Sequence, residues 1–178
     1  SYYSTRRPTS ILQVAGARDV AVELHSLSKT FNMTGWRIGF AVGNADVLER
    51  LAKVKANLDS SQFAAVQDAA VTALENYRHP ALEELRAMYR ARRDALCPAL
   101  KSLGFSVNPP EATFYVWTGV AAGYDSFQVV NKLLDEAAIV CIPGQGFGEE
   151  GAGFVRFALT VEADRIEAAV ARMRGLQW

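Results

Sequence analysis

Between residues 19 and 42 the apolar positions fall into two short runs, DVAVELH (19–25) and WRIGFAV (36–42), with the spacing and β-branched content of strands. The polar stretch between them, SLSKTFNMTG (26–35), is predicted as the loop that joins them. The period then lengthens. NADVLERLAKVKANL (44–58) places Val47, Leu48, Leu51, Val54 and Leu58 on one helical stripe, with Asn44 in the N-cap position. A second helix is predicted over 62–77. Pro80 opens a long helix in which Leu82, Leu85, Met88, Tyr89, Leu96 and Leu100 face one way, and Pro98 predicts a kink or an early stop in it.

Beyond Gly104 the elements shorten. TFYVWT (113–118), IVCIP (139–143) and FVRFAL (154–159) read as strands. Helices are predicted near 126–137, where Asp125 and Gln128 form a capping pair, and over 163–174, where Ile166, Ala169, Val170 and Met173 recur at helical spacing. Strands alternating with helices in the first half predict an α/β architecture, and the later pattern predicts a small α+β unit, with the hinge in the long helix.

Composition narrows the function classes. The 178 residues carry 19 Lys plus Arg against 19 Asp plus Glu, and half are apolar, so no basic excess points to nucleic acid or a membrane surface. No apolar run approaches the roughly 20 residues that span a bilayer. Cys97 and Cys141 lie far apart in no metal-ligand or redox spacing, which predicts buried thiols, no metal and a cytoplasmic setting. The chain starts on SYYSTRRPTS without a methionine and reads as the middle of something longer.

The chemistry concentrates in HSLSKTFNMTGWRIGF (25–40). A lysine amine becomes a catalyst when it forms an imine with a carbonyl, and Lys29 has Ser26 and Ser28 before it and Arg37 after it. Hydroxyls and a planar guanidinium are phosphate donors, so amine, hydroxyls and arginine together suit pyridoxal phosphate, which has an aldehyde and a phosphate. Gly35 is expected to provide the turn that points Arg37 back at the same anion.

The run Ser26-Leu27-Ser28-Lys29, followed by Gly35-Trp36-Arg37-Ile38-Gly39, resembles the signature of the class I and II aminotransferases, pyridoxal-phosphate enzymes of fold type I. The wider stretch is most similar to the branch that contains LL-diaminopimelate and aspartate aminotransferases. The resemblance implies that Lys29 is the Schiff-base lysine and moves the proton, and that Ser26, Ser28 and Arg37 hold the cofactor phosphate. NPPEATFYVW (108–117), IPGQGFG (142–148) and FVRFALT (154–160) are similar to later family segments, which makes Arg156 the residue implied to clamp the substrate α-carboxylate.

On this resemblance residues 1–79 are the C-terminal part of the large cofactor domain, and residues 80–178 are the connecting helix and small α+β domain. Amino-acid and 2-oxo-acid substrates follow, as does a homodimer for the full-length enzyme. The family's aspartate for the pyridine nitrogen and a nearby tyrosine precede the lysine segment and have no counterpart here, so the chain alone is expected to be weakly active or inactive. A lyase or synthase on the same scaffold shares these residues, and a non-catalytic association domain is the alternative of a different class. His25 and His79 are expected to be packed or capping, and Trp36 and Trp117 to lie in the core. GFGEEG (146–151) satisfies a dinucleotide-type glycine pattern, but a strand pattern rather than a helix follows it, which excludes that reading.

Overall fold

The computed structural model describes residues 8–178; residues 1–7, assigned from sequence to the first domain, lie outside the described residues. The described residues up to Leu82 form one compact unit and Glu83–Trp178 a second.

In the first unit, β1 (Val22–Ser26) pairs antiparallel with β2 (Gly39–Gly43), in a register that runs from Val22 opposite Gly43 to Ser26 opposite Gly39. Both strands are shorter than their sequence patterns. Ala17–Asp19 forms a 3-10 turn before β1, and Arg37 adopts a left-handed backbone before β2. The intervening segment is not a plain loop: α1 (Leu27–Thr30) is a single helical turn that contains Lys29, followed by a 3-10 turn over Thr34–Trp36.

Asn44 caps α2 (Ala45–Leu58) as its residue type predicts: its Oδ1 accepts from the Val47 N–H at 2.9 Å, and its Nδ2 donates to the Asp19 carbonyl at 2.8 Å. Helix α3 (Ala64–Glu75) follows. The core of this unit is small. Leu27, Met33 and Ala70 are buried, with Phe31, Ile38, Ala69 and Ala73 packed against them. The α2 stripe stays uncovered: Val47, Leu51, Val54 and Leu58 are all exposed, and Leu51, Val54 and Leu58 line an open apolar groove of about 460 Å³ with Leu24 and Phe40.

Helix α4 (Pro80–Ser102) is preceded by His79, whose Nδ1 accepts from the Ala81 N–H at 3.3 Å, the capping one of the two roles, packed or capping, expected of that histidine. The helix does not stop at Pro98. Pro98 is exposed while Leu96, Cys97, Ala99 and Leu100 around it are buried, so packing on the inner side carries the helix past the missing hydrogen bond.

The second unit is a four-stranded antiparallel sheet in the order β3-β4-β6-β5, with β3 (Ser106–Val107), β4 (Tyr115–Gly119), β5 (Ile142–Pro143) and β6 (Phe154–Ala158). Helices α5 (Ser126–Ala137) and α6 (Ala163–Arg174) complete it. Strand alternation sorts the two faces. Val116 and Thr118 of β4 and Val155 and Phe157 of β6 are buried, and the core continues into Leu100, Val129, Leu133, Ile166 and Met173. Each fully buried aliphatic side chain there contributes about 1.5–3 kcal/mol. Trp117, Ile142 and Phe154 are exposed on the other face, where Trp117 and Ile142 stand directly opposite Arg156.

Asp125 and Gln128 form the expected capping box, each side chain accepting from the other's backbone N–H. Arg92, which the sequence did not single out, is buried and ties α4 to the end of β6: Nη1 donates to the Leu159 carbonyl at 3.1 Å and Nη2 to Glu162 at 2.6 Å. Among the described residues, no helix is long and apolar enough to cross a membrane, and no group of three His, Cys, Asp or Glu could hold a metal ion.

Candidate functional site

Four hydrogen bonds close the bend that carries Lys29. Ser26 is the N-cap of α1, and its Oγ accepts from the Ser28 N–H at 3.2 Å. The Leu27 N–H donates to the Ile38 carbonyl at 3.2 Å, which joins the start of α1 to the chain beyond Arg37. Thr34 Oγ1 donates to the Ser28 carbonyl at 3.2 Å, and Arg37 Nη1 donates to the Thr34 carbonyl at 2.8 Å. Leu27 anchors the bend by full burial, Ser28 is buried beside it, and Ser26, Lys29 and Arg37 face solvent.

The turn is made differently from expectation. Gly35 has no left-handed backbone and open space around it, whereas Asn32 (φ 55°) and Arg37 (φ 51°) are left-handed. For arginine that conformation costs about 1–2 kcal/mol, strain of the kind found where a side chain must be aimed. Gly39 has a separate reason to be glycine: a Cβ there would collide with the His25 carbonyl oxygen across the strand pair.

The neighbouring titratable groups are occupied structurally. Glu23 accepts from Ser10 Oγ at 2.6 Å, from the Ile11 N–H at 2.8 Å, and pairs with His25 Nε2 at 2.9 Å. The Ser10 bond first, and the His25 bond next, hold its carboxyl below the ordinary value of 4.5. The His25 ring stacks on Phe40 at 4.9 Å. Trp36 and Trp117 are 48% and 40% exposed, so neither is the core residue expected from sequence.

In the second unit Arg156 is half-buried on the outer sheet face. Its Cζ lies 4.2 Å from the Tyr115 ring centroid and 4.5 Å from that of Phe147. Among the described residues it makes no hydrogen bond and no ion pair, in contrast to Arg92. The structural ion pair that would have explained an arginine on this strand is therefore not formed among the described residues. Sequence reading missed both rings. Tyr115 lies in NPPEATFYVW (108–117) and Phe147 in IPGQGFG (142–148), segments whose likeness to the family was legible, but nothing in either stretch tied its ring to Arg156.

Phe147 ends a 3-10 turn (Gly144–Phe147), and a second (Glu149–Gly151) leads towards β6, so the glycine pattern is followed by a strand, as its sequence implied. A cavity of about 270 Å³ in this unit is lined by Leu96, Ile139, Phe157, Ile166 and Met173 from the core side, and Arg156 does not line it. It is a packing groove rather than the chemical site.

The sequence profile of the family "Aminotransferase class I and II" matches residues 2–173. The chain is 50% identical over 176 residues to an LL-diaminopimelate aminotransferase of Aquifex aeolicus, covering 99% of this chain and 45% of that protein. It is 51% identical over 172 residues to the protein of that name from Syntrophobacter fumaroxidans, covering 97% and 44%. Among solved structures, an aminotransferase from Staphylococcus aureus superposes with a TM-score of 0.89 at 36% identity, covering 98% of this chain and 46% of that one. A probable N-succinyldiaminopimelate aminotransferase from Thermus thermophilus gives the same TM-score, identity and coverage. The chain thus spans about 45% of the length of the curated relatives it matches.

Proposed function

The chain belongs to the class I and II aminotransferases, and from that premise we propose that it is the cofactor-lysine and carboxylate-binding part of an enzyme that moves an amino group from an amino acid to a 2-oxo acid. Enzymes of this family depend in general on pyridoxal phosphate. The donor set of the Lys29 bend fits that group. An exposed amine suits an aldehyde; a serine hydroxyl with its hydrogen free, a second serine and an arginine suit a phosphate.

When bound, pyridoxal phosphate supplies an aldehyde that captures amines and a conjugated ring that takes up the electrons released as a Cα–H bond breaks. Lys29 holds the cofactor and carries the proton at the substrate Cα. Ser26, Ser28 and Arg37 bind the phosphate, and Arg156 binds the α-carboxylate through paired N–H groups, orienting the substrate. In this reading the first unit is the later part of the cofactor domain, and the second is the small domain. The uncovered α2 stripe agrees with it, because an exposed apolar helix face is a surface suited to packing against further protein. Half-identity to LL-diaminopimelate aminotransferases favours a substrate of that type. A homodimer rests on the family resemblance alone.

The observation that carries the reading is the closed Ser26–Arg37 bend, in which the Arg37 guanidinium is bonded back to the segment that holds Lys29. Incubation with pyridoxal phosphate, borohydride reduction and peptide mass mapping tests it. A trapped adduct concentrated on Lys29, absent from Lys29→Ala, is expected. Even labelling of surface lysines, unchanged in that variant, would overturn it.

A further inference from the structure

We infer that Phe147 and Tyr115 are positioning residues for Arg156: their rings hold the guanidinium plane so that its N–H edge stays free for a carboxylate. The inference rests on the reading of Arg156 as the carboxylate site and adds to it the residues that aim it.

Both ring centroids lie well inside the roughly 6 Å reach of a cation–π contact. A ring over the guanidinium engages its π face, and the N–H bonds, which lie in the plane, remain available for a bidentate partner. An arginine loose in water must give up side-chain freedom when it captures an anion. One already stacked has given up most of it before the ligand arrives.

The rings are themselves fixed. Phe147 sits on a loop whose ends meet backbone to backbone, since a Cβ on Gly144 would strike the Gly151 carbonyl oxygen, and one on Gly151 would strike that of Gly144. Inside the loop the Gly148 N–H donates to the Gln145 carbonyl at 3.1 Å and the Gly151 N–H to the Gly148 carbonyl at 2.9 Å. Trp117 then meets Phe147 edge-on at 5.6 Å and stacks on Phe154 at 5.5 Å. Tyr115 is held by its place opposite Ala158 and by its ring contact with Phe114 at 4.6 Å. One charged group is thus set among aromatic side chains on the outer face of the sheet.

The test uses the full 178-residue chain labelled with ¹⁵N, reading the Arg156 Nε–Hε resonance, assigned by its loss in Arg156→Lys. Succinate is the probe. In the unsubstituted chain the side chain is expected to be ordered by heteronuclear NOE and to respond to succinate. Phe147→Leu, which keeps apolar bulk without a ring, should lower that order and weaken succinate binding about three- to tenfold. Phe147→Tyr should restore both. Unchanged order and affinity in Phe147→Leu and Tyr115→Leu would overturn the positioning role; if one variant fails to fold by circular dichroism, the other decides. Equal succinate uptake by the unsubstituted chain and Arg156→Lys would instead sink the carboxylate reading, and side-chain order would still decide the role of the rings.

Discussion

Arg37 donates from Nη1 to the carbonyl oxygen of Thr34 at 2.8 Å while its own backbone stands at φ 51°, so the guanidinium is turned back onto the bend that carries Lys29. The geometry separates function from stability. Arg37→Gly removes the strain of a left-handed arginine but loosens the unfolded chain, so stability should stay within about 1 kcal/mol of the original. Affinity for pyridoxal phosphate should fall about tenfold or more, because a charged, forked donor is lost. Urea unfolding and cofactor titration measure the two. A large stability loss with intact affinity would make Arg37 a structural residue.

Two arginines of the second unit give opposite expectations. Arg92→Ala leaves the Leu159 carbonyl without its buried donor and removes the partner of Glu162, so it should cost about 2–4 kcal/mol in urea unfolding. Arg156→Ala touches no ion pair among the described residues and should cost less than about 1 kcal/mol. Equal losses would mean that Arg156 is held for packing.

The backbone meeting of Gly144 and Gly151 predicts intolerance of any side chain there. Gly151→Ala must push the two strands of the loop apart and should cost about 1–3 kcal/mol. Phe147 would leave Trp117 as the loop shifts, and a red-shifted tryptophan emission is the expected signature. Unchanged emission and stability would show that the loop adapts without moving the ring.

Burial pushes the Cys97 thiol from its ordinary 9.0 up to about 11, against a smaller downward pull from Arg93, and the Cys141 thiol up to about 12. Both should resist Ellman's reagent at pH 8 in the folded chain and react on unfolding. The folded state keeps these protons longer than the unfolded one. Their contribution is therefore fully present below about pH 9 and is lost as pH rises towards 11 and 12. Unfolding curves across that range would show it; fast native labelling would contradict the buried setting.

Much of this fold was legible because its signals are local. Asn44, Asp125 and the apolar stripes placed α2, α5 and α6 at the boundaries the structure has, since caps and helical periodicity both act within one turn. The strand expected over 139–143 shrank to Ile142–Pro143 because Ala138 turns left-handed and the Ile139 N–H bonds back to Leu133, consuming those residues in the end of α5. The same rule divides the sites. Ser26, Ser28, Lys29 and Arg37 share one bend and could be read together, whereas the setting of Arg156 is made by Tyr115 and Phe147, brought to it by sheet register and a glycine-closed loop.

The unequal burial of the two units also sets how ligand affinity is linked to folding. Among the described residues, the apolar cluster under the bend with Lys29 has three buried side chains, and the one under the sheet with Arg156 has twenty. Heating should therefore melt the lysine half first, in a step of its own. A phosphate ester that binds only the intact bend would raise that first transition by mass action and leave the later one where it was.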